Sequence, residues 1–199
     1  IVEESIKSSA SEVKVDALGN VLAIRRGEGK NRPRVMLAAH MDEVGFMLTN
    51  ADGDGIFRFQ IVGGINPQQL AGKPVWVGAD KLPGVIGAKP IHLTTREERE
   101  RSFSLEALRI DIGPENSKKV KVGDWATFAT TFTRLGPSIR AKALDDRFGV
   151  ATLIELVRQA PPNIDLMAAF TVQEEVGLRG AKVAAYTFDP HMSIVLDCT

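Results

Sequence analysis

The sequence predicts an α/β fold carrying an all-β insert, and three observations predict it. Three continuous apolar runs, VMLAA at 35–39, LMAAFTV at 166–172 and SIVL at 193–196, have the character of strands covered on both faces. Helix-forming segments separate the later two from each other and from what precedes them. Residues 46–135 instead alternate β-branched and aromatic residues with polar ones between recurring glycines, the pattern of a small antiparallel barrel or sandwich. The chain therefore divides into 1–44 and 136–199, two parts of one α/β domain, and an inserted β-domain at 45–135.

Each element has a local reason. Val13 and Val15 alternate with polar neighbours, LGN at 18–20 is a turn signal and VLAI follows, so 12–26 reads as a β-hairpin. VMLAA follows the breaker Pro33. Within the insert, DGDG at 52–55 is a turn between GFMLT and IFRFQIV, and PGVIGA, LRIDIG and DWATFATTF are further strands. Phe57, Phe59, Trp76, Trp125, Phe128 and Phe132 supply apolar surface, most of it assigned to a barrel core. The charged run REERER at 96–101 reads as a solvated turn or loop. After Gly136-Pro137, Asp146 is placed as an N-cap, and Val150, Leu153, Ile154 and Val157 keep helical spacing until Pro161-Pro162. LRGAKVAAYTF at 178–188 leaves room for a second helix.

Bulk properties exclude several functions. The 199 residues suit one large domain or two small ones, and 25 basic side chains balance 25 acidic ones. No electrostatic pull toward nucleic acid or anionic lipid is visible. Cys198 is the single cysteine, so no intrachain disulfide is available and a cytoplasmic home is expected. No apolar run approaches the roughly 18 residues of a membrane span. The opening IVEESIKSSA lacks a signal peptide's basic start and an initiating Met, so the reading is expected to begin inside a longer chain.

Each apolar run ends in residues of metal-ligand type: His40 and Asp42, then Glu174 and Glu175, then Asp197. In an open α/β sheet the carboxyl ends of the strands border the crevice where ligands bind, so these groups should converge. Asp145 and Asp146 precede a helix, whose positive end favours anions. Singly, each has an ordinary explanation: a lone histidine is a hydrogen-bonded core residue, and LDD before a helix is a capping signal. Asp42, two residues beyond His40, shares its face of a strand, and a carboxylate beside a histidine is the usual partner that fixes its tautomer. The neighbours Glu174 and Glu175 say most. On a continuing strand one would be forced into the core at a cost of several kcal/mol, so the strand should end there, with Gly177 permitting the break. Two carboxylates in one pocket repel unless a cation sits between them or one takes up a proton. In the first case one glutamate holds the cation while its neighbour serves as general base toward the water the cation activates.

HMDEVG at 40–45, KALDDR at 142–147, VQEEVGLRGA at 172–181 and LDCT at 196–199 together resemble the signature segments of the M42 family of dinuclear metal aminopeptidases, relatives of the tetrahedral and glutamyl aminopeptidases. DALGNV near the start and GVIGAKPIHL in the insert extend the likeness over nearly the whole chain. The resemblance implies a zinc-aminopeptidase-like catalytic domain, a mixed sheet flanked by helices, with a barrel-like insert that mediates dimerisation. It implies that His40 and Glu175 bind one metal, that Asp145 bridges two, that Asp197 binds the second, that Glu174 is the general base and that Asp42 orients His40. Nitrogen and oxygen ligands suit Zn2+, with Co2+ or Mn2+ as alternatives. Two such ions about 3.5–4 Å apart share one carboxylate. The family's second metal also takes a histidine from far downstream, which has no counterpart here; His92 and His191 lie outside matching segments and read as structural or surface residues. Cys198 reads as a small buried filler rather than a thiolate ligand.

The function expected on these grounds is hydrolysis of amino-terminal residues from short peptides, by a homo-oligomer in which dimers build into a dodecamer. Two rivals stand beside it. One is a different metal amidohydrolase or deacylase; an endoglucanase, a label some relatives carry, would need two carboxylates working without metal. The other is a non-catalytic assembly subunit of the same fold.

Overall fold

The computed structural model describes residues 1–89, 94 and 104–198. They form two compact units, Ile1–Glu43 with Ala143–Thr199, and Val44–Lys142. REERER at 96–101 and His92 lie outside the described residues.

The first unit is built on a five-stranded mixed sheet. The expected hairpin is β1 (Glu12–Val15) paired antiparallel with β2 (Val21–Arg25). Its turn is held by Asp16, whose Oδ1 accepts from the backbone N–H groups of Leu18, Gly19 and Asn20, each at 2.9 Å. β12 (Asp165–Thr171) lies antiparallel to β2 and parallel to β3 (Arg34–His40), with Thr171 opposite His40. β13 (Met192–Val195) runs parallel to β3 on its other side. The three parallel strands therefore finish at the same edge of the sheet.

Both faces of this sheet are covered at β3 and β12, which is why those strands read as unbroken apolar runs. The edge strand β13 is exposed along its length, with Ile194 and Val195 47% and 66% accessible, so SIVL is not the doubly covered strand its apolar run implies. Leu37 and Ala39 of β3 and Leu166, Ala168 and Phe170 of β12 join Ile6, Val150, Leu153 and Val157 in one core. The alternate residues Met36, Ala38, Met167 and Ala169 join Ala184 and Phe188 in the other. The first core is supplied by helices α1 (Val2–Ile6) and α2 (Leu144–Arg158), the second by α3 (Arg179–Phe188). Asp146 lies inside α2 at a non-helical break, φ −115° and ψ 34°, and its Oδ1 accepts from Gly149 N at 3.1 Å, capping the regular helix that follows. Arg25 Nη1 donates to Val157 O at 2.7 Å near the other end of that helix.

The second unit is a closed barrel with strand order β4-β5-β8-β7-β6-β9. Its members are β4 (Gly45–Gly53), β5 (Ile56–Val62), β6 (Pro74–Val77), β7 (Leu82–Ala88), β8 (Leu108–Asp111) and β9 (Trp125–Phe128). The β4–β5 turn needs Gly55: its φ is +80°, and a Cβ there would overlap Gly113 O. Phe46 packs edge-to-face on Phe59 and Phe128, with ring centroids 5.2 Å apart in each pair. Phe57 and Phe59 are buried as expected, but Trp125 and Phe132 are 45% and 70% exposed. β6, which opens on a proline, has no counterpart among the expected strands. DWATFATTF contributes only its first part, as β9. Gly136-Pro137 is a hairpin turn between β10 (Thr133–Leu135) and β11 (Ser138–Arg140). Among the described residues no helix is long and apolar enough to cross a membrane.

One ion pair of the first unit sets an acid limit. Arg32 Nε donates to Asp165 Oδ1 at 2.7 Å, with side chains 20% and 13% exposed. The Arg32 guanidinium holds the Asp165 carboxyl below its ordinary value, helped by Gly27 N–H. Because the folded pKa is the lower one, unfolding takes up a proton; the stabilisation is complete above about pH 4 and is lost as pH falls through the lowered value. Asp165→Asn is therefore expected to flatten the acid limb of the urea midpoint plotted against pH below about 4. An acid limb identical to the wild type's would refute the assignment.

Candidate metal centre

The sequence-predicted groups meet at the carboxyl edge of β3, β12 and β13. His40 is the last residue of β3 and 4% exposed. Its Nε2 lies 3.1 Å from Asp145 Oδ1, 3.9 Å from Asp197 Oδ1 and 4.0 Å from Glu174 Oε2. Two sets of ligand atoms each fall within 4.8 Å of one another: His40 with Glu174 and Glu175, and His40 with Asp145 and Asp197. His40 belongs to both.

Local chain geometry brings each group there. β12 stops at Thr171, before either glutamate, and a loop with Gln173 at φ +58° and Gly177 at +117° turns both out of the strand's alternation. Neither is then forced into the core. Asp197 follows β13, where Leu196 N donates to Ala38 O at 2.8 Å. Asp145 sits at the start of α2 with φ −82° and ψ 112°, outside helical geometry. Asp146, fully buried, faces the other way: its Oδ2 accepts from His40 N at 3.1 Å while Oδ1 caps the helix. Its role is to join β3 to α2, as the capping reading implies.

Asp42 differs in detail from the sequence expectation. His40 Nδ1 is 3.1 Å from the Asp42 backbone oxygen, whereas the carboxylate Oδ1 is 3.6 Å away, too long for a hydrogen bond. The carboxylate instead accepts from the backbone N–H groups of Glu174 and Glu175, at 3.1 and 3.2 Å. The chain leaves β3 at His40, so the two-residue alternation that would aim both side chains alike no longer holds. Asp42 thus orients the ring through its carbonyl and the glutamate loop through its carboxylate.

Cys198 is exposed, not the buried filler expected, because it lies beyond β13 rather than within a strand. Its Sγ faces Leu144 O at 3.6 Å and shares a possible ligand set with Asp145 and Asp146. Slight desolvation, then the charges of Asp145, Asp146 and Asp197, push its thiol pKa up, away from the thiolate. His191 is exposed and accepts from Arg34 N at 3.0 Å, a surface role.

The electrostatics are those of a crowded acidic site around one imidazole. Burial alone would lower the His40 pKa, but the charges of Asp42, Asp146 and Glu174 and the contact with Asp145 outweigh it, and the shift is upward. Burial, then the charge of Glu174, raises Glu175. Burial likewise raises Asp146. An imidazole amid carboxylates that repel one another fits a divalent cation by charge and by donor type, oxygen and nitrogen.

Three contacts escape sequence reasoning. Arg147 Nε donates to Met41 O at 2.8 Å, bracing the segment between His40 and Asp42 against α2. Asn20 reaches both ends of the glutamate loop from the β1–β2 turn, its carboxamide held in turn by Asp16. The only signals for these in the sequence are the motifs DALGNV and KALDDR, whose spacing does not disclose the contacts.

Fold and rim together define an α/β protein whose convergent histidine and carboxylates could hold divalent cations. Residues 19–199 match the model of the M42 glutamyl aminopeptidase family, and the chain belongs to that family. It is 36% identical over 210 residues to a lysyl aminopeptidase of Pyrococcus furiosus, covering 100% of this chain and 60% of the relative. It superposes on aminopeptidase APDkam598 of the archaeon Desulfurococcus kamchatkensis with a TM-score of 0.89 and 34% identity, covering 100% of this chain and 56% of that one. A third match is the Pyrococcus horikoshii TET1 peptidase, which can assemble into a tetrahedron or a large octahedral shell: TM-score 0.81, 38% identity, 100% of this chain and 63% of that one. The chain thus spans about three-fifths of the length of these proteins.

Proposed function

We propose that the protein is a metal-dependent aminopeptidase that hydrolyses amino-terminal residues from short peptides. The observation that carries this reading is the convergence of His40, Asp145, Glu174, Glu175 and Asp197 at one edge of the sheet. His40 and Glu175 would hold one ion, Asp197 the other, and Asp145, with Oδ1 nearest the imidazole, would be shared. Ions bound there supply polarisation of the scissile carbonyl and a lowered pKa for water, with Zn2+ best suited and Co2+ or Mn2+ as alternatives.

The chain's own groups do the rest. Glu174 takes a proton from the attacking water on a carboxylate oxygen and returns it to the leaving amine. Asp42 keeps the base in place through the Glu174 N–H and fixes the His40 ring through its carbonyl oxygen. Asp146, bonded to His40 N and Gly149 N, holds the strand end against the helix that presents Asp145.

The domain division expected from sequence, 1–44 with 136–199 around an insert at 45–135, is kept as part of this proposal. The insert would serve dimerisation: Met47 and Trp125, paired across β4 and β9, are both exposed on the barrel. By likeness to the TET1 peptidase, dimers would build a larger homo-oligomer, and the single cysteine fits a cytoplasmic protein.

The test is metal analysis of the full-length protein with a panel of aminoacyl nitroanilides, before and after chelation. Activity on free-amine substrates should vanish with the chelator, return with added Zn2+ or Co2+, and be absent on amino-blocked analogues. Turnover that survives complete metal removal would refute the reading.

A further inference from the structure

We infer that Asn20 is a positioning residue for the two glutamates: its carboxamide ties together both ends of the loop, residues 172–180, that presents them. The inference rests on the proposed roles of Glu174 and Glu175. Asn20 lies in the β1–β2 turn, far from the glutamates in sequence, and is completely buried. Its Oδ1 accepts from Val172 N at 3.0 Å, where the loop leaves β12. Its Nδ2 donates to Gly180 O at 3.2 Å, where the loop enters α3, and to Asp16 Oδ2 at 2.7 Å. One planar group thus bridges the two ends beside the backbone bond from Gly180 N to Val172 O at 3.0 Å, and Asp16, itself fixed by three backbone N–H groups, fixes that group.

The loop's backbone is one that gains from such support. Gln173 and Leu178 have φ of +58° and Gly177 +117°, and positive φ in residues with side chains persists only where the surroundings over-determine it. Gly180 is shaped to the clamp: a Cβ there would overlap Asn20 Oδ1 and Val172 O. From the opposite side Asp42 accepts the N–H groups of Glu174 and Glu175. The base is therefore held from two directions, by Asp42 at its own backbone and by Asn20 at the loop's ends. DALGNV has this purpose in the sequence: Asp16 and Asn20 face inward around a turn that carries no reacting group.

Asn20→Asp tests this in the full-length protein loaded with Co2+. The variant keeps the shape and the acceptor but turns the donor into a second acceptor facing Gly180 O and Asp16, so the clamp opens at one end. Ile6→Ala, a cavity in the same unit away from the loop, serves as the control for general destabilisation. Asn20→Asp is expected to lower kcat by about 10–100-fold with KM within about threefold, and to alter the visible Co2+ absorption, whereas Ile6→Ala changes neither. Wild-type kcat and spectrum in Asn20→Asp would overturn the inference, as would equal changes in Ile6→Ala. Should Asn20→Asp fail to fold, Asn20→Ala removes the same bridge without adding a buried charge and is judged by the same readouts. The spectrum needs no turnover, so a wild-type protein inactive on every peptide would sink the aminopeptidase reading and leave the Asn20 comparison decisive.

Discussion

Glu174→Gln is expected to keep its metal and lose its turnover, with kcat down about 10²–10⁴-fold, the range a general base contributes. Glutamine has the same shape, and the backbone contact that places the residue, Glu174 N to Asp42 Oδ1 at 3.1 Å, does not involve the side chain. What disappears is an oxygen able to accept a proton. Glu174 shares a possible ligand set with His40 and Glu175, its Oε2 4.0 Å from His40 Nε2, so metal content is the readout that separates a base from a ligand. For a base, metal content by elemental analysis should equal wild type while nitroanilide turnover collapses. Equal activity in the two proteins would refute the base assignment, and loss of metal alongside activity would make Glu174 a ligand instead.

That the two glutamates leave the strand for one rim was legible because it is written in adjacent letters. A strand cannot point neighbours to one side, so two acids at a strand's end announce a turn and a shared pocket. The doubly covered strands were legible for a related reason: Met36 and Ala38 serve one core, Leu37 and Ala39 the other, which leaves no polar face to break the run. The barrel showed itself as alternation, but its short strands did not. Pro74–Val77 begins on a residue that cannot donate to a ladder, and only its partners β7 and β9 make it a strand. Gly136-Pro137 signals a turn whether a domain ends there or a hairpin bends, so local chemistry could not separate the two. In the site, residue types could be read and atoms could not. Asp42 was expected to orient His40 with its carboxylate, but the strand ends between them, and the carbonyl takes that role. Asn20 was invisible because its partners, Val172 and Gly180, offer backbone groups, which no side-chain pattern records.

Asp145→Ala is expected to leave a folded protein that no longer holds its metal. The two neighbouring aspartates make the contrast. Asp146 is fully buried, with carboxylate oxygens engaged by His40 N and Gly149 N, so its removal would strand buried donors and threaten the fold. Asp145 has a side chain 57% exposed, and it contacts the His40 ring, a group of the site itself. A side chain so exposed contributes little to stability, and the thermal midpoint should stay within a few degrees of wild type. Its oxygen is nevertheless the one nearest the imidazole, in the same ligand set as Asp197. If Asp145 is the carboxylate shared by two ions, its loss should weaken metal binding by more than the about 10–100-fold that removal of an outer partner costs, and activity should fall with it. Competition with a chelator of known affinity measures this directly. Wild-type metal content in a folded Asp145→Ala protein would remove the shared carboxylate from the scheme, and with it the reason for placing two ions rather than one at the end of β3.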